Sequence, residues 1–271
     1  MTAAAAVMNA PASRAPRRVL HRRIGALALV WFLCCLAWSA PAQLLVLVLQ
    51  PLLPQLQLQN VSGGFWHGSA AQAYWGPHDK VIALGKLEWR IAPWSLLWLH
   101  PQADVSTRYG EQSVEMRARL SPLGRIVLRD ASAALPAQVL GYWLPLPAAG
   151  TLALNLKRAE FTDTDLLAVD GELHWQRAQW QWGNGWLMLG DYRCVLRTEG
   201  PDKLQCALRG QGALAGNGTL AIDSNDHSWS ADLKVKMHSE LPPEFRQTVT
   251  MLLAGKADAN GELQVQRSGR W

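Results

Sequence analysis

The chain has 271 residues, 49% hydrophobic and 17% charged, with a formal net charge of +5 and a pI near 9.2. The basic excess does not mark a nucleic-acid binder. Five arginines and no acidic residue lie in residues 1–23, and the 21 basic residues beyond them are balanced by 21 acidic ones, with no basic stripe interleaved with aromatics.

The chain opens on that basic arm, residues 1–23, in which Arg14, Arg17, Arg18, Arg22 and Arg23 precede an apolar run, Ile24 to Ala40, free of charge. A charge at the bilayer centre costs roughly 2.5–3.5 kcal/mol on insertion scales, whereas Leu, Ile, Phe and Val are each favourable, so this run belongs in lipid. Arginines ahead of it hold the N-terminus in the cytoplasm and send the remainder across. Its residues reach about 26 Å at ~1.5 Å each, close to a bilayer's hydrocarbon thickness and longer than a typical signal core. The reading is an uncleaved single-pass inner-membrane anchor at 24–40. A cleaved signal peptide is its rival, since Ala40-Pro41-Ala42 is a passable cleavage site. Cys34 and Cys35 read as small apolar residues of the span, and bulky Phe32 and Leu33 argue against lipid modification of Cys34.

Pro41 to Leu53 remains apolar and uncharged. It either extends the membrane helix to 53 or lies flat on the periplasmic face, with Pro51 and Pro54 ending it. Residues 54–271 form the body, which no low-complexity linker divides, so they are read as one periplasmic domain. Its dominant period is two. Val114, Met116, Ala118 and Leu120 alternate with Glu115, Arg117 and Arg119, Leu152, Leu154 and Leu156 repeat the pattern, and Trp229 to Met237 alternates with Ser230, Asp232, Lys234 and Lys236. Such alternation predicts strands with one wet and one buried face. Turn signals stand at Gly76-Pro77, Tyr109-Gly110, Asp170-Gly171, Asn184-Gly185, Gly216-Asn217-Gly218 and Asn260-Gly261. Three helical pieces interrupt the strands: Pro93–Trp98 with Pro at its start, Leu135–Leu144, and Pro242–Leu253 with Phe245, Val249, Leu252 and Leu253 on one face. The fold class predicted is mainly β, a curved antiparallel meander of ten or so strands with a few short helices behind one membrane helix. Fourteen tryptophans are many for this length. They either fill a broad β core or line an apolar groove.

Cys194 and Cys206 flank Thr198-Glu199-Gly200-Pro201-Asp202. A hairpin centred on Gly200 would set Cys194 opposite Cys206 and Leu196 opposite Leu204, and the oxidising periplasm would close a disulfide. The alternative is two thiols side by side on a core face. A metal site would need further ligands, and no histidine is suitably spaced.

Chemistry is hard to find. The seven histidines form no H-x-H or H-E-x-x-H pattern, and no nucleophile elbow or phosphate loop is present. Gly210-Gln211-Gly212 lacks the third glycine of a dinucleotide loop. Asp163 with Asp165 and Asp223 with Asp226 read as solvated turn pairs, and His67 as structural. No enzyme, catalytic residue, cofactor or metal is predicted.

Two tryptophan motifs remain. Gly64-Phe65-Trp66-His67-Gly68-Ser69-Ala70 reads G-x-x-W-x-G-x-A, and Leu87 to Leu96 reads L-x-W-x-x-x-P-x-x-L through Trp89 and Pro93. Gly64 and Gly68 would permit turns or bulges around a buried Trp66, and Trp89 would sit on a strand ahead of the Pro93 turn. These five residues are read as fold determinants. With Gly150-Thr151-Leu152, Asp170 to Trp175, Leu189 to Tyr192 and Asn260 to Leu263, this layout resembles the type II secretion system protein N family, the general secretion pathway protein N of Gram-negative bacteria, over nearly the whole chain. The resemblance implies a non-catalytic accessory component of the inner membrane that supports export of folded periplasmic proteins across the outer membrane. It further implies other bitopic inner-membrane secretion subunits as partners, including protein C. Exposed strand edges could take partner strands by β-augmentation. A β meander beginning at an inner-membrane anchor is also similar to AsmA-like envelope proteins, which implies, as the alternative, periplasmic lipid binding or transport, with lipid contact.

Overall fold

The computed structural model describes residues 17–76, 81–97, 100–121, 124–142, 147–162, 166–200, 202–253, 256–257 and 262–270. The chain divides into two compact units, residues 1–40 and 41–271. In the first, helix α1 covers Arg17–Trp38. Its apolar side chains, among them Leu29, Trp31, Phe32 and Leu36, are exposed. The helix ends where the Ser39 hydroxyl donates to the carbonyls of Cys35 and Leu36. Among the described residues no helix is long and apolar enough to cross a membrane.

The second unit opens with a separate helix, α2 (Ala42–Leu52), which starts after Pro41 and carries Pro51 inside its last turn rather than ending at it. The strands follow as β1 (Leu56–Gly63), β2 (His67–Trp75), β3 (Ile82–Ile91), β4 (Gln102–Tyr109), β5 (Gln112–Leu120), β6 (Ile126–Pro136), β7 (Ala148–Phe161), β8 (Leu166–Trp182), β9 (Gly185–Thr198), β10 (Lys203–Gln211), β11 (Leu214–Asp223), β12 (Ser228–Met237), β13 (Lys256–Ala257) and β14 (Glu262–Arg270). Helix α3 (Pro93–Leu97) lies between β3 and β4, a 3-10 helix (Ala137–Tyr142) between β6 and β7, and α4 (Pro243–Leu253) between β12 and β13. The mainly β class holds, with fourteen strands among the described residues in one curved antiparallel sheet where ten or so were predicted. Strands β1 to β12 pair in chain order, β14 pairs with β12, and β13 lies outside β14. Among the described residues β1 and β13 are the sheet's two edges and do not pair with each other, so the described sheet is open.

The alternation that defines the strands sorts residues onto two faces, and the register carries the sorting from strand to strand. One row runs from Val61 through Ala70, Leu87, Val114, Leu154, Leu173 and Leu208 to Val265. A parallel row on the same face runs from Leu135 through Leu152, Trp175, Tyr192 and Val235 to Leu263. The opposite face carries Ser62, Ser69, Glu88, Ser106, Glu115, Asn155 and Glu172 in another row, interrupted by Val195 and Ala207.

Helices cover the apolar face at two places. Ala42 and Leu45 of α2 pack with Ala70, Ala73, Leu87 and Trp89. Phe245 of α4 and Leu241 ahead of it pack with Ala178 and Leu189, and the Trp182 ring meets the Phe245 ring edge-on at 5.1 Å.

Local expectations fare unevenly. Pro93 begins α3, and α4 buries Phe245 with Val249 packed beside it, whereas Leu252, expected on the same face, is 72% exposed. The segment predicted helical from Leu135 remains strand through Pro136 and then forms the 3-10 turn. Gly171 and Gly218, read as turn signals, lie inside β8 and β11. They are spacers: a Cβ on Gly171 would meet Leu156 Cδ2 at 2.6 Å, and one on Gly218 would meet Leu233 Cδ2 at 2.7 Å. The arm residues 1–16, and Trp98, Trp143, Asp163, Asp165 and Asn260-Gly261, lie outside the described residues.

Candidate functional site

Trp89 organises the sheet's first corner. It stands opposite Gly68 in the β2–β3 register, is 5% exposed, and its Nε1–H donates to the Phe65 carbonyl at 3.1 Å. A Cβ on Gly68 would lie 2.4 Å from Trp89 Cζ2, so the indole occupies the space a side chain would fill. The Gly64 N–H donates to the His67 carbonyl at 2.8 Å and closes the turn that carries Phe65 and Trp66. Trp66 itself is half-buried, edge-on to Phe65 at 5.2 Å. The buried indole is therefore Trp89 and not Trp66, because β3 points Trp89 at α2 whereas the turn leaves Trp66 at the margin. Beyond β3, the Ser95 hydroxyl donates to the Ala92 carbonyl and accepts the Gln102 N–H, holding the Pro93 turn against β4.

A disulfide joins Cys194 and Cys206, with Cα atoms 5.8 Å apart. The hairpin register differs from the expected one by two residues. Cys194 faces Leu208, Cys206 faces Leu196, and Thr198 pairs with Leu204. The reason is the loop, where Gly200 and Asp202 both take positive φ, +87° and +66°, and move the centre of the turn one residue beyond Gly200. The cysteines are thus diagonal neighbours on the apolar face.

Among the described residues, neither α2 nor α4 packs on the middle of that face. Val114, Met116, Leu154 and Leu156 of β5 and β7 are half-buried, and they belong to neither helix-covered cluster. The first apolar row crosses twelve strand-to-strand steps, a contour of about 58 Å at ~4.8 Å each.

The polar face is held by ion pairs. Arg117 reaches Asp104 at 2.9 Å and Asp130 at 3.4 Å, and Glu172 accepts from Arg193 at 2.6 Å and His174 at 3.2 Å. An open trough of about 650 Å³ on this face is lined by Ser69, Glu88, Arg90, Asp104, Glu115 and Arg117 among others. Hydrogen bonds from Arg193 and then His174 hold the Glu172 carboxyl below its usual range. The Lys86 ammonium does the same for Glu88, and Asp104 raises Arg117. Asp223 is lowered first by the backbone N–H of Asp226 and also accepts that of Asn225, which makes it the organiser of the β11–β12 turn. Each of these shifts deepens the charged form. Tyr192, under α4's cluster, goes the other way: burial pushes its phenol up to about 12 while its O–H donates to the Leu214 carbonyl at 2.7 Å. His67 is exposed. Among the described residues no three of His, Cys, Asp or Glu are grouped to hold a metal ion.

Sequence reasoning missed two features. The Gly68–Trp89 contact needs the register, although both residues stood in the motifs. Tyr192 gave no signal beyond its place beside Gly190 and Asp191.

Residues 54–266, which include most of the sheet, match the family model described as type II secretion system, protein N. The chain is 30% identical over 255 residues to type II secretion system protein N of Aeromonas hydrophila, covering 91% of this chain and 97% of that protein. It is 28% identical over 260 residues to the protein of that name from Klebsiella pneumoniae, covering 92% and 95%. It is 27% identical over 245 residues to the one from Vibrio cholerae, covering 85% and 90%. No solved structure matches. With most of the chain under the family model and nearly all of each relative spanned, the chain belongs to the type II secretion system protein N family.

Proposed function

We propose that the protein is a non-catalytic inner-membrane component of the type II secretion system. Segment 24–40 anchors it with its N-terminus in the cytoplasm, and residues 54–271 work in the periplasm, supporting export of folded periplasmic proteins across the outer membrane. The observation that carries this reading is the family match over residues 54–266. The anchor is supported by the uncharged run after Arg23 and by the bare apolar side chains of α1. A helix that is apolar all round and uncovered suits lipid. The partners on this reading are other bitopic inner-membrane secretion subunits, protein C among them.

A second reading, an AsmA-like protein that binds or carries lipid in the periplasm, is favoured by one observation, the uncovered apolar middle of the sheet. Purification of the tagged full chain from native membranes after mild cross-linking separates the two. Recovery of other secretion subunits supports the first. Stoichiometric phospholipid with no secretion subunit supports the second.

A further inference from the structure

Helix α2 is apolar apart from the exposed Gln43 and Gln50, yet it uses only one side against the sheet. Ala42 and Leu45 are buried over β1, β2 and β3, with Leu49 packed beside them. The opposite stripe is bare, with Leu44 48% exposed, Leu47 70% and Val48 53%. A water-facing helix stripe of this composition would ordinarily be polar. At 11 residues the helix is also too short to span a bilayer.

The sequence around it carries a second observation. No Asp, Glu, Lys or Arg occurs anywhere from Ile24 to His78. The charge-free stretch therefore covers α2 and both strands beneath it. The polar face of β1 and β2 is made of neutral groups, Gln57, Gln59, Ser62, Ser69 and Gln72, with the Ser62 and Ser69 hydroxyls bonded to each other at 3.1 Å. From β3 onward the same face carries Lys86, Glu88, Arg90, Asp104 and Arg117. Soluble sheets usually guard an edge strand with charge. Here the edge strand β1, its neighbour and the helix over them have none. Only Ser39, Ala40 and Pro41 separate α2 from the end of α1.

We propose that α2 lies in the periplasmic face of the bilayer as a strut between membrane and sheet. Leu44, Leu47 and Val48 enter the lipid, and Ala42, Leu45 and Leu49 grip β1, β2 and β3. Interfacial helices sink their apolar side roughly 5–10 Å into the headgroup boundary. The neutral amides and hydroxyls of β1 and β2 can hydrogen-bond within the adjoining headgroup layer. The strut fixes which edge of the sheet meets the membrane and leaves the charged strands in water. This inference rests on the anchor reading of segment 24–40.

The test uses the full chain in phosphatidylethanolamine–phosphatidylglycerol vesicles, with Cys34→Ala and Cys35→Ala as background. An environment-sensitive fluorophore is placed by Leu47→Cys on α2, Leu29→Cys on α1, or Thr219→Cys on exposed β11. Nitroxide lipids labelled near the ester or near the chain end serve as quenchers. The expected result is a blue-shifted Leu47 probe quenched more by the shallow nitroxide than by the deep one. The Leu29 probe should be quenched more by the deep one, and the Thr219 probe should stay in water with its emission unchanged. A Leu47 probe in water beside a quenched Leu29 probe overturns the strut and leaves the anchor standing. A dry Leu47 probe untouched by either nitroxide means that protein covers the stripe, and deepest quenching at Leu47 means that α2 belongs to the span. Either result overturns the proposal. A water-exposed Leu29 probe overturns the anchor reading together with the strut.

Discussion

Replacing Gly68 by alanine should unsettle the β2–β3 corner through one identifiable collision. The new Cβ would meet Trp89 Cζ2 at 2.4 Å and Cε2 at 2.9 Å, and the Ser62 carbonyl at 2.8 Å. Overpacking of this kind costs about 1–3 kcal/mol. Trp89→Ala removes an indole that is 5% exposed and leaves the Phe65 carbonyl without its donor. A deletion of that size costs about 3–5 kcal/mol, of which the lost hydrogen bond accounts for ~1. In the double variant the contacts with the ring vanish and only the approach to Ser62 persists. The two effects should therefore sum to about 1–2 kcal/mol more than the double variant loses, inside the range of coupling seen for residues in contact. Urea unfolding of the full chain in detergent, followed by far-ultraviolet circular dichroism so that the missing indole does not bias the signal, measures all four corners of the cycle. Additivity to within ~0.5 kcal/mol, the behaviour of independent sites, would refute the claim that ring and glycine share one space.

Three further outcomes are expected. Reducing the Cys194–Cys206 disulfide, or replacing both residues by alanine, opens a loop with a sequence separation of 12 and should cost about 3 kcal/mol in the chain-entropy model, read as a lower urea midpoint; an unchanged midpoint would argue against the bond. Glu172 is depressed below its ordinary value of 4.5, so the stability it contributes is present above that pH and is lost as pH falls through the folded-state value. Glu172→Gln should lower the neutral-pH midpoint and flatten its acid dependence. Tyr192 is raised from 10.0 to about 12, so the stability from its neutral form is complete below pH 10 and is lost as the pH rises to about 12. Tyr192→Phe should remove the late phenolate absorbance step and, by stripping the Leu214 carbonyl of its donor, cost ~0.5–1.5 kcal/mol.

What could be read in advance follows from what kind of information each feature uses. The alternation of β12 and the helical spacing that buries Phe245 are local, and both hold in the structure. Pairing register is not local. The hairpin at Gly200 slips by two because a second left-handed residue, Asp202, recentres it, and nothing in the alternation distinguishes the two registers, since a shift of two keeps every side chain on its face. Gly171 and Gly218 were misread because a turn glycine and a spacer glycine look alike until the residue opposite is known. The same reason hid Trp89 behind Trp66. Both indoles stand in motifs, but only the strand order places one of them over Gly68 and under α2. Bulges inside the long strands also break the alternation, as at Arg177 in β8, whose φ is +50° and whose N–H donates to the Asp191 carboxylate.

The most direct test of the proposed role is a clean in-frame deletion, complemented in trans by the full chain. The measured quantity is the partition of a folded exoprotein between medium and periplasm. The account predicts that the exoprotein accumulates in the periplasm of the deletion strain while the outer membrane stays intact, and that the full chain restores release. Unchanged release in the deletion strain would contradict it.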